Sequence, residues 1–221
     1  MKKISKLLCA TALVSAIAFP AQANELLSNA YLGLSGGASI APDADLGVPG
    51  ATIHDAIEFD TGFGFSANAG YRFNEILRVQ ADLGYLQNDL DSIGADLIGE
   101  AKFSDGTLSG VYGVLSVYGD YSLTEEVSVF AGIGGGFYAP QIGKVEIAGA
   151  DSFKIETKQD AVALLKVGTG VSYSLTDNVD LLASYDYLRS ADFDIKVKGT
   201  SESADMHLST HLAQVGLRYN F

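Results

Sequence analysis

The sequence predicts an all-β fold: an eight-stranded, antiparallel, up-and-down β-barrel that spans a membrane. Three observations predict it. Segments along the whole chain alternate apolar and polar residues with a period of two, the spacing of side chains on the two faces of a strand. The connections between these segments alternate short and long. Finally, the apolar faces end in aromatic residues at the short-turn side, which matches the interfacial girdle of a transmembrane barrel.

Composition sets the frame. A chain of 221 residues suits one domain. With 27 acidic against 14 basic residues and a net charge of −13, nucleic acid is excluded as a partner, because phosphate binding needs clustered Lys and Arg. A hydrophobic content of 48 % excludes a disordered chain. The 25 Gly, 11 Tyr and 11 Phe, with few helix-favouring runs, favour β structure.

The first residues read as a signal peptide, residues 1–23. Lys2, Lys3 and Lys6 form a basic start, Leu7 to Phe19 an apolar core, and Pro20 precedes the small-residue site Ala21-Gln22-Ala23. The apolar run is shorter than the roughly 20 residues a spanning helix needs. Cleavage after Ala23 gives a barrel domain of residues 24–221. It removes three of the 14 basic residues, taking the charge from −13 to −16, and it removes the single cysteine, Cys9. The mature chain therefore has no disulfide, although an exported chain could have used one.

The predicted strands follow in order. Tyr31 to Ile40 sets Leu32, Leu34 and Ala38 against Tyr31, Gly33, Ser35 and Gly37. Thr61 to Phe73 sets Phe63, Phe65, Ala67, Ala69, Tyr71 and Phe73 against Ser66, Asn68, Arg72 and glycines. Leu77 to Asn88 sets Leu77, Val79, Ala81, Leu83 and Tyr85 against Arg78, Gln80, Asp82 and Gly84. Val111 to Leu123 sets Leu115, Val117, Tyr121 and Leu123 against Ser116, Tyr118, Asp120 and Ser122. Val127 to Tyr138 carries Val129, Ala131, Ile133 and Phe137 on one face and Gly132, Gly134 and Gly136 on the other. Leu165 to Leu175 sets Val167, Val171, Tyr173 and Leu175 against Lys166, Gly168, Gly170, Ser172 and Ser174. Val179 to Tyr187 sets Val179, Leu181, Ala183, Tyr185 and Tyr187 against Asp180, Ser184 and Asp186. The last segment sets His211, Ala213, Val215, Leu217, Tyr219 and Phe221 against Leu212, Gln214, Gly216, Arg218 and Asn220.

Asn74 to Ile76, Ser122 to Glu126 and Thr176 to Asn178 are short turns. Ala41 to Asp60, Asp89 to Gly106, Pro140 to Asp160 and Ser190 to Leu208 are long connections. Short turns at one end and long loops at the other are what an outer-membrane barrel shows, with the long loops outside and both chain ends on the periplasmic side. Two long connections carry strand patterns of their own. Phe193, Ile195 and Val197 alternate with charged residues, and Val145 and Ile147 are expected to pair across a turn with Phe153 and Ile155.

Alternation also fits a soluble barrel with its apolar face inward. Aromatic ends at Tyr71, Phe73, Tyr121, Tyr173, Tyr219 and Phe221, small polar faces with charges at mid-strand, and a chain that stops right after its last strand favour the membrane arrangement.

The ending Val215-Gly-Leu-Arg-Tyr-Asn-Phe221 resembles the C-terminal signature of outer-membrane β-barrels, and Ala69-Gly-Tyr-Arg-Phe73 and Ala131-Gly-Ile-Gly-Gly-Gly-Phe-Tyr138 resemble segments of the opacity-type and OmpA-type small barrels. These form a group of surface antigens within a porin-like family. The resemblance implies an outer-membrane location in a Gram-negative cell. It also implies that Val215, Leu217, Tyr219 and Phe221 form an assembly signal read by the barrel-assembly machinery. The chain departs from full-length OmpA in having no peptidoglycan-binding domain after the barrel, so wall tethering is not expected.

The candidate site is the lumen. Arg72, Arg78, Lys166 and Arg218 share the polar faces with Asp82, Asp120, Asp180 and Asp186. An eight-stranded barrel is wide enough only to be filled by side chains, and isolated charges there are costly, so these eight are expected to pair as a salt-bridged plug. A narrow, gated ion path is the alternative use of the same charges.

Other motifs carry less. His207, Ser209, His211 and Asp205 share parity near the outer end of the last strand, and a His beside a Ser can form a nucleophile-base pair; some lipid A deacylases resemble this, but short matches of this kind are common by chance and ordinary rim polarity is the favoured reading. His54 reads as a loop residue without a partner. Gly132, Gly134 and Gly136 sit in a strand with no following helix, so they clear lumen space or ease curvature rather than bind a nucleotide. Asp43/Asp45 and Asp89/Asp91 lack a calcium-loop pattern, and the absence of a His/Cys cluster gives no metal site. No cofactor is expected and the chain is not expected to be an enzyme. The sequence thus points to a barrel that presents four long loops as a structural, adhesin-like surface antigen. The partners expected are outer-membrane lipid and lipopolysaccharide, the assembly machinery, and a host or environmental ligand at the loops. A small porin-like diffusion channel and a lipid A-modifying enzyme are the alternative functions.

Overall fold

The structure is a computed structural model that describes residues 28–42, 44–48, 51–59, 61–93, 101–105, 107–142, 146–147, 155–157, 160–197 and 203–221. Residues 1–23, expected to be a signal peptide and containing Cys9, and Asp43, Val145 and Phe153, lie outside the described residues.

The barrel strands are β1 (Ala30–Ile40), β2 (Gly62–Arg72), β3 (Leu77–Ile93), β4 (Thr107–Ser122), β5 (Val127–Ile142), β6 (Val162–Ser174), β7 (Val179–Ser190) and β8 (Ser209–Asn220). Each pairs antiparallel with its neighbours in sequence, and β8 pairs with β1 from Tyr31↔Asn220 to Ile40↔His211, which closes the sheet into a barrel without a free edge. Closure matters because an open edge in hydrocarbon would leave backbone N–H and C=O groups unpaired.

Alternation decides the faces. Leu34, Phe65, Leu83, Leu115, Ile133, Val167, Leu181 and Val215 are exposed on the outside, the arrangement a lipid solvent requires. At the short-turn end the outer surface carries Tyr121 and Tyr173 and two edge-on aromatic pairs, Tyr71–Phe73 at 5.4 Å and Tyr219–Phe221 at 5.2 Å between centroids. Such rings are amphipathic and stabilise the level where hydrocarbon meets water.

One device shapes all three short turns. The residue at the second turn position accepts hydrogen bonds from the backbone two and three residues on: Asn74 Oδ1 from Ile76 and Leu77, Thr124 Oγ1 from Glu126 and Val127, Thr176 Oγ1 from Asn178 and Val179. A short polar side chain that satisfies its own backbone is what selects Asn and Thr here.

The other end differs from the sequence-based expectation in length and partners. β3 runs on to Ile93 and β5 reaches Ile142, so these strands take up residues expected in the connections, and β4 begins at Thr107, ahead of its expected start at Val111. The ladder continues because neighbouring connections also form strands. Phe193–Val197 pairs with Ser203–Met206, in keeping with its alternation. Ile147 and Ile155 do not pair with each other. Ile147 pairs with Phe103 of Ala101–Asp105, and Ile155 pairs with Val197. Ser203–Met206 meets Ala44–Val48 through Asp205↔Gly47, and Ala51–Phe59, which contains His54, joins the upper part of β3. His54 thus lies in a strand rather than an open loop. Period-two patterning identifies a strand but not which connection lies beside it, so the partners escaped a reading confined to one hairpin.

Candidate functional site

The inward side chains fall into two layers. The layer nearer the short turns is charged. Within it, β7 and β8 set Asp180 directly opposite Arg218, and Arg218 reaches Asp180 Oδ2 from Nε at 2.9 Å and from Nη2 at 2.8 Å. The same carboxylate accepts from Asn220 Nδ2 at 2.9 Å and Ser174 Oγ at 3.0 Å, and Arg72 stands 3.8 Å away while donating to Asn220 Oδ1 at 2.6 Å.

Among the described residues, Arg78 is the most deeply enclosed cation, 2 % exposed. Its Nε donates to both oxygens of Asp120, at 3.1 and 2.9 Å, and its Nη1 donates to Tyr31 OH and Gln80 Oε1. Its guanidinium also lies 4.2 Å from the Tyr118 ring centroid and 4.9 Å from that of Phe130. A planar, weakly hydrated guanidinium suits such a site, because stacking and forked hydrogen bonds replace its water.

From Gln80 the contacts continue. Its Nε2 donates to Asp82 Oδ1 at 2.7 Å, and Lys166 Nζ lies 3.2 Å from Asp82 Oδ2 and 3.4 Å from Asp186 Oδ1. The structure therefore brings Arg72, Arg78, Asp82, Asp120, Lys166, Asp180, Asp186 and Arg218 together inside the barrel, in three ion-paired groups. Tyr31 joins them. Its ring lies within 5.1–5.6 Å of the guanidinium carbons of Arg72, Arg218 and Arg78, and its hydroxyl donates to Gln80. Tyr31 and Gln80 were not among the expected site residues; a large Tyr on a face otherwise built of Gly and Ser was the available signal.

A cavity of about 30 Å³ lies among Asn68, Asp82, Lys166, Asp186 and Gln214, room for about one or two waters. Asn68 Oδ1 and Gln214 Nε2 are buried without a hydrogen-bond partner among the described residues.

The second layer, nearer the long connections, is apolar and adds to the salt-bridged plug that the sequence predicts. Leu86, Leu108, Tyr112, Val114, Tyr138, Val162, Leu164, Leu188, Leu208 and Leu212 form one packed apolar cluster inside the barrel, with Leu188 and Leu212 fully buried. Glycines make room for its rings. A Cβ at Gly84 would run into Tyr112 and one at Gly110 into Tyr138; lower down, one at Gly70 would meet Tyr31 and one at Gly132 would meet Tyr118. On β5, Gly132 and Gly134 thus clear space for lumen side chains, Tyr118 and Ser116, whereas a Cβ at Gly136 would meet the backbone of Gly113.

Among the described residues, the polar side chains at the outer end of β8 take separate partners. His207 Nδ1 lies 3.6 Å from Asp192, Ser209 Oγ 3.2 Å from Tyr187 OH, and His211 Nδ1 is hydrogen-bonded to Tyr185 OH. The side chains of Asp205, Asp45, Asp89, Asp91 and His54 lie outside the described residues.

A closed antiparallel barrel with an apolar, aromatic-belted exterior and charges held inside defines a membrane-spanning β-barrel. The chain belongs to the family of outer membrane protein beta-barrel domains, whose model matches residues 9–221, and it is an outer-membrane protein. Its fold resembles that of the outer membrane protein OprG from Pseudomonas aeruginosa, at 13 % identity and a TM-score of 0.61 over 88 % of this chain and 97 % of that one. It also resembles AlkL, an outer membrane protein, at 14 % identity and a TM-score of 0.56 over 92 % and 95 % of the two chains. The outer membrane protease OmpT from Escherichia coli is a more distant likeness, at 10 % identity and a TM-score of 0.51 over 88 % and 97 %. At these identities the likeness is one of fold. No curated protein matches the chain.

Proposed function

We propose that this protein is a closed barrel that carries a surface-exposed crown of long connections, and that it acts through that crown as a structural, adhesin-like surface antigen rather than as a conduit. The observation that carries this reading is the double filling of the lumen: a layer of paired charges beneath a packed apolar layer. A pore that passes polar solutes needs continuous water or a line of polar sites, and an apolar constriction offers neither. The pairing between separate connections, such as Asp205↔Gly47 and Phe103↔Ile147, supports a shared surface over independent loops. In this reading residues 1–23 direct export, the long connections face outward, and Val215, Leu217, Tyr219 and Phe221 are read during assembly. Planar-bilayer recording on the full-length mature protein tests it. No sustained conductance is expected; large, stable openings of the unaltered protein would reject the closed barrel in favour of a diffusion channel.

A further inference from the structure

The outward face of β7 and β8 changes character near the long connections. It is apolar through Leu181 and Ala183 on β7 and through Val215 and Ala213 on β8, and then turns polar at Tyr187, Arg189, His211 and Ser209. Arg189 is exposed there, opposite Ser209 in register. The other described lysine and arginine side chains, Arg72, Arg78, Lys166 and Arg218, all have carboxylate partners inside the barrel. Arg189 has no partner among the described residues. The nearby carboxylate of Asp192 is instead 3.6 Å from His207. Around Arg189 the hydroxyls of Tyr187 and Ser209 lie 3.2 Å apart, and the His211 ring packs 5.1 Å from that of Tyr187.

Directly below lies a shallow trough in the outer surface, lined by Val171, Ala183, Tyr185, Ala213 and Val215. Small side chains keep its floor low: Ala183 on β7 and Ala213 on β8, the latter opposite Ala38 of β1. The cation and the trough are separate features that succeed one another along β7 and β8, the trough extending onto β6 at Val171.

We propose that this edge of the barrel docks one anionic, phosphate-bearing lipid of the surrounding leaflet, with an acyl chain in the trough and the phosphate on Arg189. A guanidinium binds phosphate through paired N–H donors, hydroxyls at the same level can share its oxygens, and aromatic rings belong at that depth. On a chain with net charge −13, an exposed cation with no partner among the described residues is the place where an anionic headgroup meets attraction rather than repulsion. The proposal rests on the membrane-spanning fold and not on the closed lumen.

Native mass spectrometry of the full-length mature protein released from vesicles of equal phosphatidylglycerol and phosphatidylcholine tests it. The protein should retain phosphatidylglycerol in preference, by about fivefold for one effective surface charge. Arg189→Ala should abolish the preference while heat-modifiable migration shows a folded barrel. Ala183→Phe with Ala213→Phe should lower retention of both lipids and leave their ratio unchanged. The proposal falls if the unaltered protein shows no preference, if Arg189→Ala keeps it, or if inorganic phosphate displaces the lipid as effectively as soluble headgroup does from a site with no need of the acyl chain.

Discussion

Lys166 and Asp82 meet across the barrel. Their strands, β6 and β3, are not neighbours, yet Nζ of one lies 3.2 Å from Oδ2 of the other. Asp186, one strand from Lys166, completes the group at 3.4 Å. One ammonium thus ties opposite walls together and is shared between two buried carboxylates.

Lys166→Met should therefore be costly. It leaves Asp82 and Asp186 buried together without a cation, and breaking such a pair costs about 3–5 kcal/mol. Replacing all three, with Asp82→Leu and Asp186→Leu, should recover much of that loss, since apolar residues of similar volume commonly substitute for a buried ion pair. Urea unfolding in lipid vesicles measures both. A single Lys166→Met variant as stable as the parent would mean that the strut bears no stabilising role.

Conductance should depend on both layers. Arg218→Ala opens space beside Asp180 but leaves the apolar cluster above it intact, so single-channel recordings should stay silent. Leu86→Ser with Leu212→Ser on the same background should admit water and produce openings. Equal conductance from Arg218→Ala alone and from the triple variant would show that the apolar layer is no barrier.

The face a residue occupies was legible in the sequence, because parity along a strand is a local property: Arg78, Gln80 and Asp82 share a face wherever the strand lies. Which cation meets which carboxylate was only partly so. Asp180 and Arg218 sit on consecutive strands, but Lys166 reaches Asp82 through the stagger of strands around the barrel, which no single segment encodes. The apolar inner layer was hidden for another reason. Leucine in a membrane barrel reads as lipid-facing, and Leu164, Leu188 and Leu212 lie on the opposite face. Doublets such as Leu164-Leu165 and Leu181-Leu182 break the alternation and were the signal available. Pairing among the long connections stayed out of reach because strand partners there come from different hairpins.

Orientation can be read with epitope tags. Tags near Asp151 and Ser201 should be detected on intact cells, and tags at Asn74 and Asp177 only after permeabilisation, because long connections of such barrels face outward. The reverse pattern would invert the barrel.

Assembly should depend on the last residue. Phe221 packs edge-on against Tyr219 at 5.2 Å, at the level where an aromatic anchors a strand in the interface. Phe221→Asp should slow insertion and increase periplasmic degradation, seen as loss of the heat-modifiable band. Undiminished folded barrel would argue that neither anchoring nor recognition uses this ring.

The glycines opposite lumen tyrosines give a paired test. Gly84→Val should cut folded yield sharply, because a Cβ there enters the Tyr112 ring. Tyr112→Ala in the same chain should restore yield in part. Failure of that rescue would place the effect in the backbone rather than in the contact.

These tyrosine–glycine contacts also solve an indexing problem. A strand that slips by one residue turns its apolar side into the lumen and is rejected at once, but a slip of two keeps every side chain on its proper face. Hydrophobic pattern cannot detect that error. In the native register Tyr31 faces Gly70 and Tyr112 faces Gly84. Moved by two, Tyr31 would confront Asn68 or Arg72, and Tyr112 would confront Asp82 or Leu86. Each ring and its vacant socket act as a notch that admits a single alignment, so a sheet rich in interchangeable small residues can still close with its charges matched.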